Sequence, residues 1–376
     1  MRFTISSTLL SSNLSALSKV INSGKNTLSI LDNFLFDLSD GRLTVVASDG
    51  DNTMRAIMSL DESDGSSMKV AIPSKTVLEA VKELPDQPLV FDIDDATYNV
   101  RVSYQNGVYN FAALDGSNFP LPMNVGDDSS TITLSSQILY ENISRSLFAT
   151  AQEELRPVMN GIYFDLGAES LAIVATDGRK LVRNLVTSIK SEVPASFILP
   201  KKPATMLKNV LQHDDSEVVI RFDRRSATIS YPSGTLSCRL IDGRYPNYNA
   251  VIPQNNPNRV VIDNKSLSSA LRRILPFASA GNQLVKFHFE TGRVSLSSED
   301  LEFSTSAHED VVCEYSGLTL NIGFKGSTIL EILSALDSEE VVIELADPSR
   351  AGVILPGTQP ESGEVLMLIM PVLIND

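Results

Sequence analysis

The sequence predicts an α+β protein made of three tandem modules, each with two helices covering one face of an antiparallel sheet. Three observations support this prediction. An opening made of a short strand, a capping residue and an apolar helix occurs three times. A second apolar helix follows later in each third of the chain. Two Asp-Gly pairs in the first third also recur in the second third, after 128 and 127 residues.

The first helices of the three modules are predicted at residues 9–20, 138–148 and 267–275. Before each one, Ser, Asp or Asn occupies the position where an N-cap residue accepts a hydrogen bond from the first turn. Within each one, apolar residues recur at steps of three and four, which is the period of a helix with one buried face. The same period predicts the second helices, at residues 77–84, 206–211 and 329–336.

The segments between the helices contain alternating apolar and polar runs, as at 34–38, 43–47 and 218–222, which predict antiparallel strands joined by hairpins. Clusters of Pro, Asn, Gly and Asp interrupt this pattern at 119–130 and 252–258 and indicate linkers. These linkers divide the chain into predicted modules at 1–123, 124–254 and 255–376.

The Asp-Gly pairs predict tight turns, because Asp and Gly tolerate the backbone conformation that a hairpin turn requires. The pair at 49–50 corresponds to the pair at 177–178, and the pair at 115–116 corresponds to the pair at 242–243. The third module has Ser-Glu-Asp at 298–300 in place of the first pair. Repetition at turn positions favours a structural role over a catalytic one for these aspartates.

The charges are unevenly distributed. The chain has a net charge of −15, which by itself argues against a nucleic-acid partner. The six predicted helices and their entry residues, however, contain eleven Lys or Arg and only five Asp or Glu, which leaves about −21 on the rest. Basic helices on an acidic body suit a protein that holds a polyanion along one surface. The alternative is that these cations occupy ordinary solvated helix faces.

The sequence contains no recognisable catalytic, metal or cofactor motif. The three histidines lack metal-ligand spacing, and no nucleophile elbow, phosphate-binding loop or dinucleotide fingerprint occurs. Cys238 and Cys313 are predicted to be buried, reduced thiols. No signal peptide or membrane-spanning run is found, so we expect a cytoplasmic protein without a membrane partner. Because catalytic and metal motifs are missing, we also expect a protein that is not an enzyme and has no cofactor or metal.

Three segments resemble the bacterial DNA polymerase III beta subunits, which are sliding clamps. They are Ala-Thr-Asp-Gly-Arg-Lys-Leu at 175–181, Leu-Ile-Asp-Gly-Arg-Tyr-Pro-Asn-Tyr at 240–248, and Met-Pro at 370–371 followed by apolar residues. The resemblance covers the whole chain. It implies a head-to-tail homodimer whose six modules close a ring around duplex DNA without reading its sequence. It also implies a pocket for linear motifs of the replicative polymerase, the clamp loader and repair proteins.

The resemblance carries over three groups of residues. The predicted DNA-binding residues are Lys25, Lys75, Lys201, Lys202 and Lys325. The predicted wall of the partner-peptide pocket is Met159, Thr176, Gly178, Arg179, Leu181, Pro246, Val251, Leu368, Met370, Pro371 and Val372. The predicted dimer interface contains Tyr109, Pro276 and Phe277, although Phe277 could equally be buried within its own module.

The chain also departs from the pattern of well-known clamps. The departures are Arg179-Lys180 for His-Arg, Pro157-Val158 for paired tyrosines, Ala250 for Arg, and Leu373 for a terminal Arg. They leave the preferred peptide open.

Two alternative functions are a hydrolase that uses Asp177 or Asp242 and a repeat-built interaction scaffold that does not encircle DNA.

Overall fold

A computed structural model describes residues 1–22, 24, 26, 28–39, 41–152, 155–211, 214–361 and 363–374. The predicted DNA-binding residue Lys25 lies outside this described part. Within it the chain forms the α-helices α1 (Ser7–Leu17), α2 (Ser74–Lys82), α3 (Ser136–Ser146), α4 (Lys201–Val210), α5 (Asn264–Ile274) and α6 (Gly326–Ala335). Short 3-10 turns occur at Ser29–Asp32, Gly116–Asn118, Leu147–Ala149, Pro157–Met159, Tyr248–Val251 and Leu275–Phe277.

The strands fall into three successive groups. The first is β1 (Arg2–Ser6), β2 (Asn33–Ser39), β3 (Arg42–Ser48), β4 (Asn52–Ser59), β5 (Glu62–Ser63), β6 (Met68–Pro73), β7 (Pro88–Ile93), β8 (Asn99–Tyr104), β9 (Gly107–Ala112) and β10 (Leu114–Asp115). The second is β11 (Ser130–Ser135), β12 (Gly161–Leu166), β13 (Leu171–Thr176), β14 (Lys180–Val186), β15 (Ala195–Pro200), β16 (Glu217–Phe222), β17 (Ser226–Tyr231) and β18 (Gly234–Arg239). The third is β19 (Asn258–Asp263), β20 (Leu284–Glu290), β21 (Arg293–Asp300), β22 (Thr305–Val312), β23 (Leu320–Lys325), β24 (Glu340–Leu345), β25 (Gly352–Pro356) and β26 (Gly363–Ile369).

The predicted α+β class is confirmed, with two helices and antiparallel strands in each third of the chain. The first helices begin two or three residues earlier than predicted because their caps lie one turn upstream. The hydroxyl of Ser6 accepts a hydrogen bond from the Leu9 amide at 3.3 Å, and the carboxylate of Asp263 accepts one from the Ser266 amide at 2.7 Å. The second helices also begin earlier, since the basic and small residues read as their entry segments are already helical.

The chain forms two compact units, residues 1–140 with 202–240 and residues 141–201 with 241–376. The first unit contains a five-stranded sheet, β5-β1-β7-β8-β9, and a nine-stranded sheet, β10-β6-β2-β3-β4-β18-β17-β16-β11. The second contains an eight-stranded sheet, β15-β12-β13-β14-β26-β25-β24-β19, and a four-stranded sheet, β22-β21-β20-β23. Each of the two longer sheets therefore joins strands from successive thirds of the chain.

Two strand pairings make these joins. β18 pairs with β4, and β26 pairs with β14. Each of the later strands begins with a glycine that faces a carbonyl of the earlier strand. A Cβ on Gly234 would lie 1.9 Å from the Arg55 oxygen, and one on Gly363 would lie 2.0 Å from the Leu185 oxygen. Both glycines are required by close backbone approach, because a paired strand cannot shift its carbonyl without breaking the ladder.

Both cysteines are buried and free, as predicted. Burial raises the pKa of the Cys238 thiol to about 12 and that of the Cys313 thiol to about 11. Both side chains therefore pack as neutral thiols at neutral pH. In the described part of the chain, no helix is long and apolar enough to span a membrane. No cluster of three His, Cys, Asp or Glu side chains among those residues could hold a metal ion.

We expect Gly363→Ala to lower the free energy of unfolding by about 1–3 kcal/mol, because the added methyl overfills the junction between β14 and β26. Urea unfolding followed by circular dichroism measures this loss. Gly281→Ala is the control, since a Cβ there meets no atom within 4 Å. Equal unfolding curves for the two variants would contradict the close approach.

Candidate functional site

The Asp-Gly pair at 177–178 forms the hairpin turn between β13 and β14. One carboxylate oxygen of Asp177 accepts hydrogen bonds from the amides of Arg179 and Lys180, at 2.8 and 2.9 Å. The hydroxyl of Thr176 donates to the Lys180 carbonyl at 2.7 Å and accepts from the Gly178 amide. Gly178 has a φ of +87°, which disfavours other residues. Asp177 is therefore used in holding the turn.

The same aspartate geometry recurs in the other modules. Asp49 accepts from the amides of Asp51 and Asn52, at 3.0 and 2.7 Å. In the third module Asp300 accepts from the amides of Glu302 and Phe303, at 2.9 and 3.3 Å. Asp300 ends the Ser-Glu-Asp segment that takes the place of the first Asp-Gly pair in the third module, and it makes the same turn although no glycine follows it. The positive φ is instead taken by Ser304, at +52°.

The C-terminal segment, residues 368–372, lies alongside this turn. Leu368 pairs with Leu181 in the β14–β26 ladder, and the Met370 amide donates to the Arg179 carbonyl at 2.8 Å. The Val372 amide then donates to the Gly323 carbonyl at 2.8 Å, which ties the segment to β23. The strand pairing thus brings two distant predicted parts of the pocket together.

An apolar cluster supports the turn and the C-terminal segment from below. Leu181 and Leu368 are 1% and 3% exposed and pack in this cluster with Tyr245 and Tyr248. The Tyr245 hydroxyl accepts a hydrogen bond from the Thr176 amide at 3.1 Å, and burial raises the Tyr245 pKa. Leu181 and Leu368 therefore form the floor of the site and not its exposed wall.

The remaining apolar residues of the predicted wall are more accessible. Val251 and Met370 are 57% and 42% exposed, whereas Pro246, Met159 and Pro371 are half-buried. In the sequence, Pro246 lies between Tyr245 and Tyr248, the two buried tyrosines of the cluster. Met159 and Val251 end 3-10 turns whose neighbouring residues pack on the same cluster, which places both at its rim.

A cavity of about 510 Å³ opens beside the turn and the C-terminal segment. It contains four predicted pocket residues, and it also contains Lys325, which was predicted to face DNA. Its lining is Asp177, Arg179, Lys180, Gly281, Asn282, Lys325, Ser327, Thr328, Glu331, Ile369, Met370, Pro371 and Val372. A larger cavity, of about 770 Å³, lies between the beginning of α5 and the end of α6. It has a polar lining with none of the predicted site residues.

Lys180 joins the turn to α6. Its ammonium lies 2.6 Å from the Glu331 carboxylate, 3.9 Å from the Asp177 carboxylate, and 5.2 Å from the centre of the Phe148 ring. The side chain is only 12% exposed, so this ion pair is partly shielded from water. Sequence analysis missed Glu331 because it is 151 residues away from its partner.

Lys202, one of the predicted DNA-binding residues, is engaged within the protein. Its ammonium donates to the Val20 carbonyl at 2.7 Å, the Asn22 side-chain oxygen at 2.8 Å and the Asp49 carboxylate at 2.6 Å. An ammonium group has three protons, so these bonds use all of them. Burial raises the pKa of the Asp49 carboxyl, but hydrogen bonds from Lys202 and Asn52 outweigh this effect and lower it overall.

The other described basic residues of the prediction lie at helix starts. Lys75 is exposed in the first turn of α2, Lys201 is half-buried at the first residue of α4, and Lys325 is the exposed N-cap residue of α6. As the structure bounds them, the six helices contain nine Lys or Arg and three Asp or Glu. The surplus of six matches the sequence estimate.

The predicted interface residues lie next to sheet edges. Tyr109 belongs to β9, the end strand of the five-stranded sheet, and its ring is 4.8 Å from that of Tyr104. Pro276 and Phe277 form the 3-10 turn after α5, which packs against β21 and β22. Phe277 is 39% exposed, so it is not buried within its own module.

Comparison with known proteins identifies the family. Models of the DNA polymerase III beta subunit match in chain order. The N-terminal domain matches residues 1–123, the central domain residues 133–247, and the C-terminal domain residues 249–372. The chain belongs to the DNA polymerase III beta subunit family. The predicted resemblance and the three clamp domains are thereby confirmed.

Relatives within this family match over nearly the whole length. The beta sliding clamp of Pseudomonas aeruginosa is 25% identical over 98% of this chain and 99% of its own length. The beta sliding clamp of Staphylococcus epidermidis is 25% identical and covers 99% of each chain. A crystal structure of the P. aeruginosa clamp bound to griselimycin is 24% identical, with a TM-score of 0.92 over 100% of both chains, and so shows the same fold.

We expect Lys202→Met to lower the free energy of unfolding by about 1–3 kcal/mol, because it leaves the Asp49 carboxylate without its ammonium partner. The Asp49 side chain is 4% exposed, so water cannot replace that partner fully. Chemical unfolding at pH 7 measures the loss. Lys208→Met, on the same helix but with no ion pair among the described residues, is the matched control.

The pH dependence of this loss has a definite sign. The folded-state pKa of Asp49 is below its ordinary value of 3.8. Its contribution to stability is therefore fully present above that value, and it is lost as the pH falls through the lower, folded-state pKa. We expect the difference between wild type and Lys202→Met to shrink in that acidic range. A difference that grows on acidification would contradict the assigned pairing.

Proposed function

We propose that this chain is a sliding clamp that encircles duplex DNA, tethers the replicative DNA polymerase to it, and has no catalytic activity of its own. The observation that carries the proposal is the match of three beta-subunit domains along the chain, together with basic helices on an acidic protein. A ring holds DNA topologically, so each phosphate contact can be weak and the clamp can slide.

The placement of the cations supports contact with a polyanion. None of the helices whose first turns are described has an acidic residue there, and Lys75 and Lys201 lie in the first turns of α2 and α4. Cations at helix N-termini are disfavoured by the helix dipole, by about 0.3–1 kcal/mol each. Helix stability therefore does not explain them, whereas contact with phosphates does.

The five predicted DNA-binding lysines then have different roles. Lys25, Lys75 and Lys201 are proposed to contact phosphates, so that binding depends on salt and not on base sequence. Lys202 is proposed to hold α4 against the first module through its three hydrogen bonds. Lys325 lies in the cavity beside the C-terminal segment, and its position favours a role in binding partners.

Two open sheet edges support a head-to-tail homodimer. β18 and β26 each begin with a glycine and pair with the preceding module through β4 and β14. β9 also begins with a glycine, but it ends the five-stranded sheet, and β22 ends the four-stranded sheet. Pairing β9 with β22 of a second copy would give a nine-stranded sheet like the one within the chain. Exposed edges invite such pairing.

Two such contacts close the assembly, because each chain supplies one edge of each kind. Tyr109 would lie in one paired strand, and Pro276 and Phe277 would support the other. The ring would then contain six modules, with the borders within each chain proposed at 1–123, 124–254 and 255–376. The same proposal places the protein in the cytoplasm, where the chromosome is replicated.

The turn 177–180, the C-terminal segment and the cluster beneath them are proposed to receive linear motifs of the polymerase, the clamp loader and repair proteins. A short peptide needs a few apolar anchors in a preformed pocket to bind well. The floor is preformed, since Leu181 and Leu368 are fixed by strand pairing. Met159 and Met370 at its exposed side can adapt to several partners.

The topological part of the proposal predicts a difference between circular and linear DNA. Once loaded onto a closed circular duplex by its clamp loader, the protein should co-elute with the DNA. It should be lost rapidly after a restriction enzyme cuts the circle, because it slides off the ends. Gel filtration of labelled protein measures both states. Equal retention on circular and linear DNA would instead favour a scaffold that does not encircle DNA.

The dimer proposal predicts that Phe277→Asp shifts the protein from a dimer towards a 40.9 kDa monomer, because a carboxylate is placed beside the paired edge. Sedimentation equilibrium measures the mass. Leu318→Asp is the control, as a highly exposed apolar residue of the same module with no proposed interface role. An unchanged dimer in the Phe277 variant would remove that residue from the interface.

A further inference from the structure

The 510 Å³ cavity is lined by both apolar and charged residues. Residues 369–372 supply its apolar side, and their backbone is fixed by hydrogen bonds to Arg179 and Gly323. The lining also contains Lys325, Ser327 and Thr328 at the start of α6. A ligand that fills this cavity therefore meets apolar groups as well as polar and charged ones.

The two acids that line the cavity share one cation, Lys180. Asp177 accepts two backbone amides of its own turn and lies 3.9 Å from the Lys180 ammonium. Glu331 accepts a 2.6 Å hydrogen bond from the same ammonium. Lys180 therefore pairs with both acids, and these three side chains together carry a net charge of −1.

Two further cations bring the net charge of the cavity lining to +1. Arg179 and Lys325 are both exposed, and neither has an ion-pair partner in the part of the chain that the structure describes. Arg156 adds a third cation close by, because its guanidinium lies 2.9 Å from the position that a Cβ on Gly178 would occupy. The rim of the cavity is thus positively charged on a protein whose net charge is −15.

We propose that the linear motif bound here carries an acidic side chain, Asp or Glu, which is seated between Arg179 and Lys325 beside its apolar anchors. This inference rests on the proposed peptide-binding function and names the chemistry that the pocket selects. A carboxylate pairs with a guanidinium and an ammonium through charge-assisted hydrogen bonds, which are stronger than neutral ones. In a partly enclosed cavity these bonds are less screened than on an open surface.

The apolar side distinguishes this site from a DNA contact. Contact with a phosphate needs cations and amides, and it gains nothing from a Met-Pro wall. The pairing of Met370 with Arg179 instead holds an apolar anchor position next to a cation. An acidic residue adjacent to an apolar one matches this arrangement in both size and charge.

Selection of peptides on the full-length protein tests the proposal. The probe is a random hexapeptide library with acetylated N-termini and amidated C-termini, so that side chains supply the only carboxylates. We expect the selected sequences to contain large apolar residues and to be enriched in Asp or Glu at one adjacent position. Apolar sequences without acidic enrichment would overturn this inference and leave the peptide pocket standing. Failure to select any sequence would overturn both.

Affinities of one selected peptide then assign the partner residues. Fluorescence anisotropy should show that replacing its acidic residue with the amide weakens binding about tenfold. The same replacement should have little effect on the double variant Arg179→Met with Lys325→Met. Lys190→Met, an exposed lysine of the same compact unit that does not line the cavity, should behave like the wild type.

A DNA-binding measurement tests the alternative role of Lys325, which is contact with DNA. We expect Lys325→Met to weaken the acidic peptide while leaving the salt-dependent binding of a short duplex unchanged. The opposite pattern, with weaker duplex binding and unchanged peptide affinity, would assign Lys325 to the DNA surface and contradict the inference.

Discussion

Strand pairing between successive modules is the constraint on which the described structure depends. It joins strands of one module to strands of the next in a single sheet. Each compact unit therefore contains strands from two successive modules. This close approach requires glycine at positions 234 and 363, because the Cβ of any other residue would collide with a carbonyl oxygen. The second pairing also assembles the proposed partner site, because it places residues 368–372 beside the turn 177–180.

Much of the fold could be predicted because its signals are local. Caps, apolar periodicity and Asp-Gly turns lie within a few residues of the elements that they specify, and the threefold repeat reinforces each one. The long-range pairings could not be predicted this way. Nothing within β14 indicates that β26, about 180 residues later, will pair with it. The third copy of this turn lacks the Asp-Gly signal because no glycine follows Asp300, although its carboxylate accepts the same kind of hydrogen bonds.

The candidate site shows the same limit at the level of side chains. The family pattern predicts the pocket residues, and strand pairing explains how Leu368 and Met370 come to lie beside the turn 177–180. A sequence cannot distinguish a lysine that faces solvent from one whose protons are used inside the protein. Lys202 lies at a helix start like Lys75, yet it donates to Val20, Asn22 and Asp49. Likewise, Lys180 and Glu331 form an ion pair that no local pattern indicates.

We propose that the two open edges, β9 and β22, pair between copies in the way that β4 and β14 pair with later strands within the chain. Electron microscopy of the purified full-length protein tests this claim most directly. We expect closed rings made of two chains and six modules, with a central hole wide enough for duplex DNA. Open crescents or isolated single chains, at concentrations where the protein is folded, would contradict it.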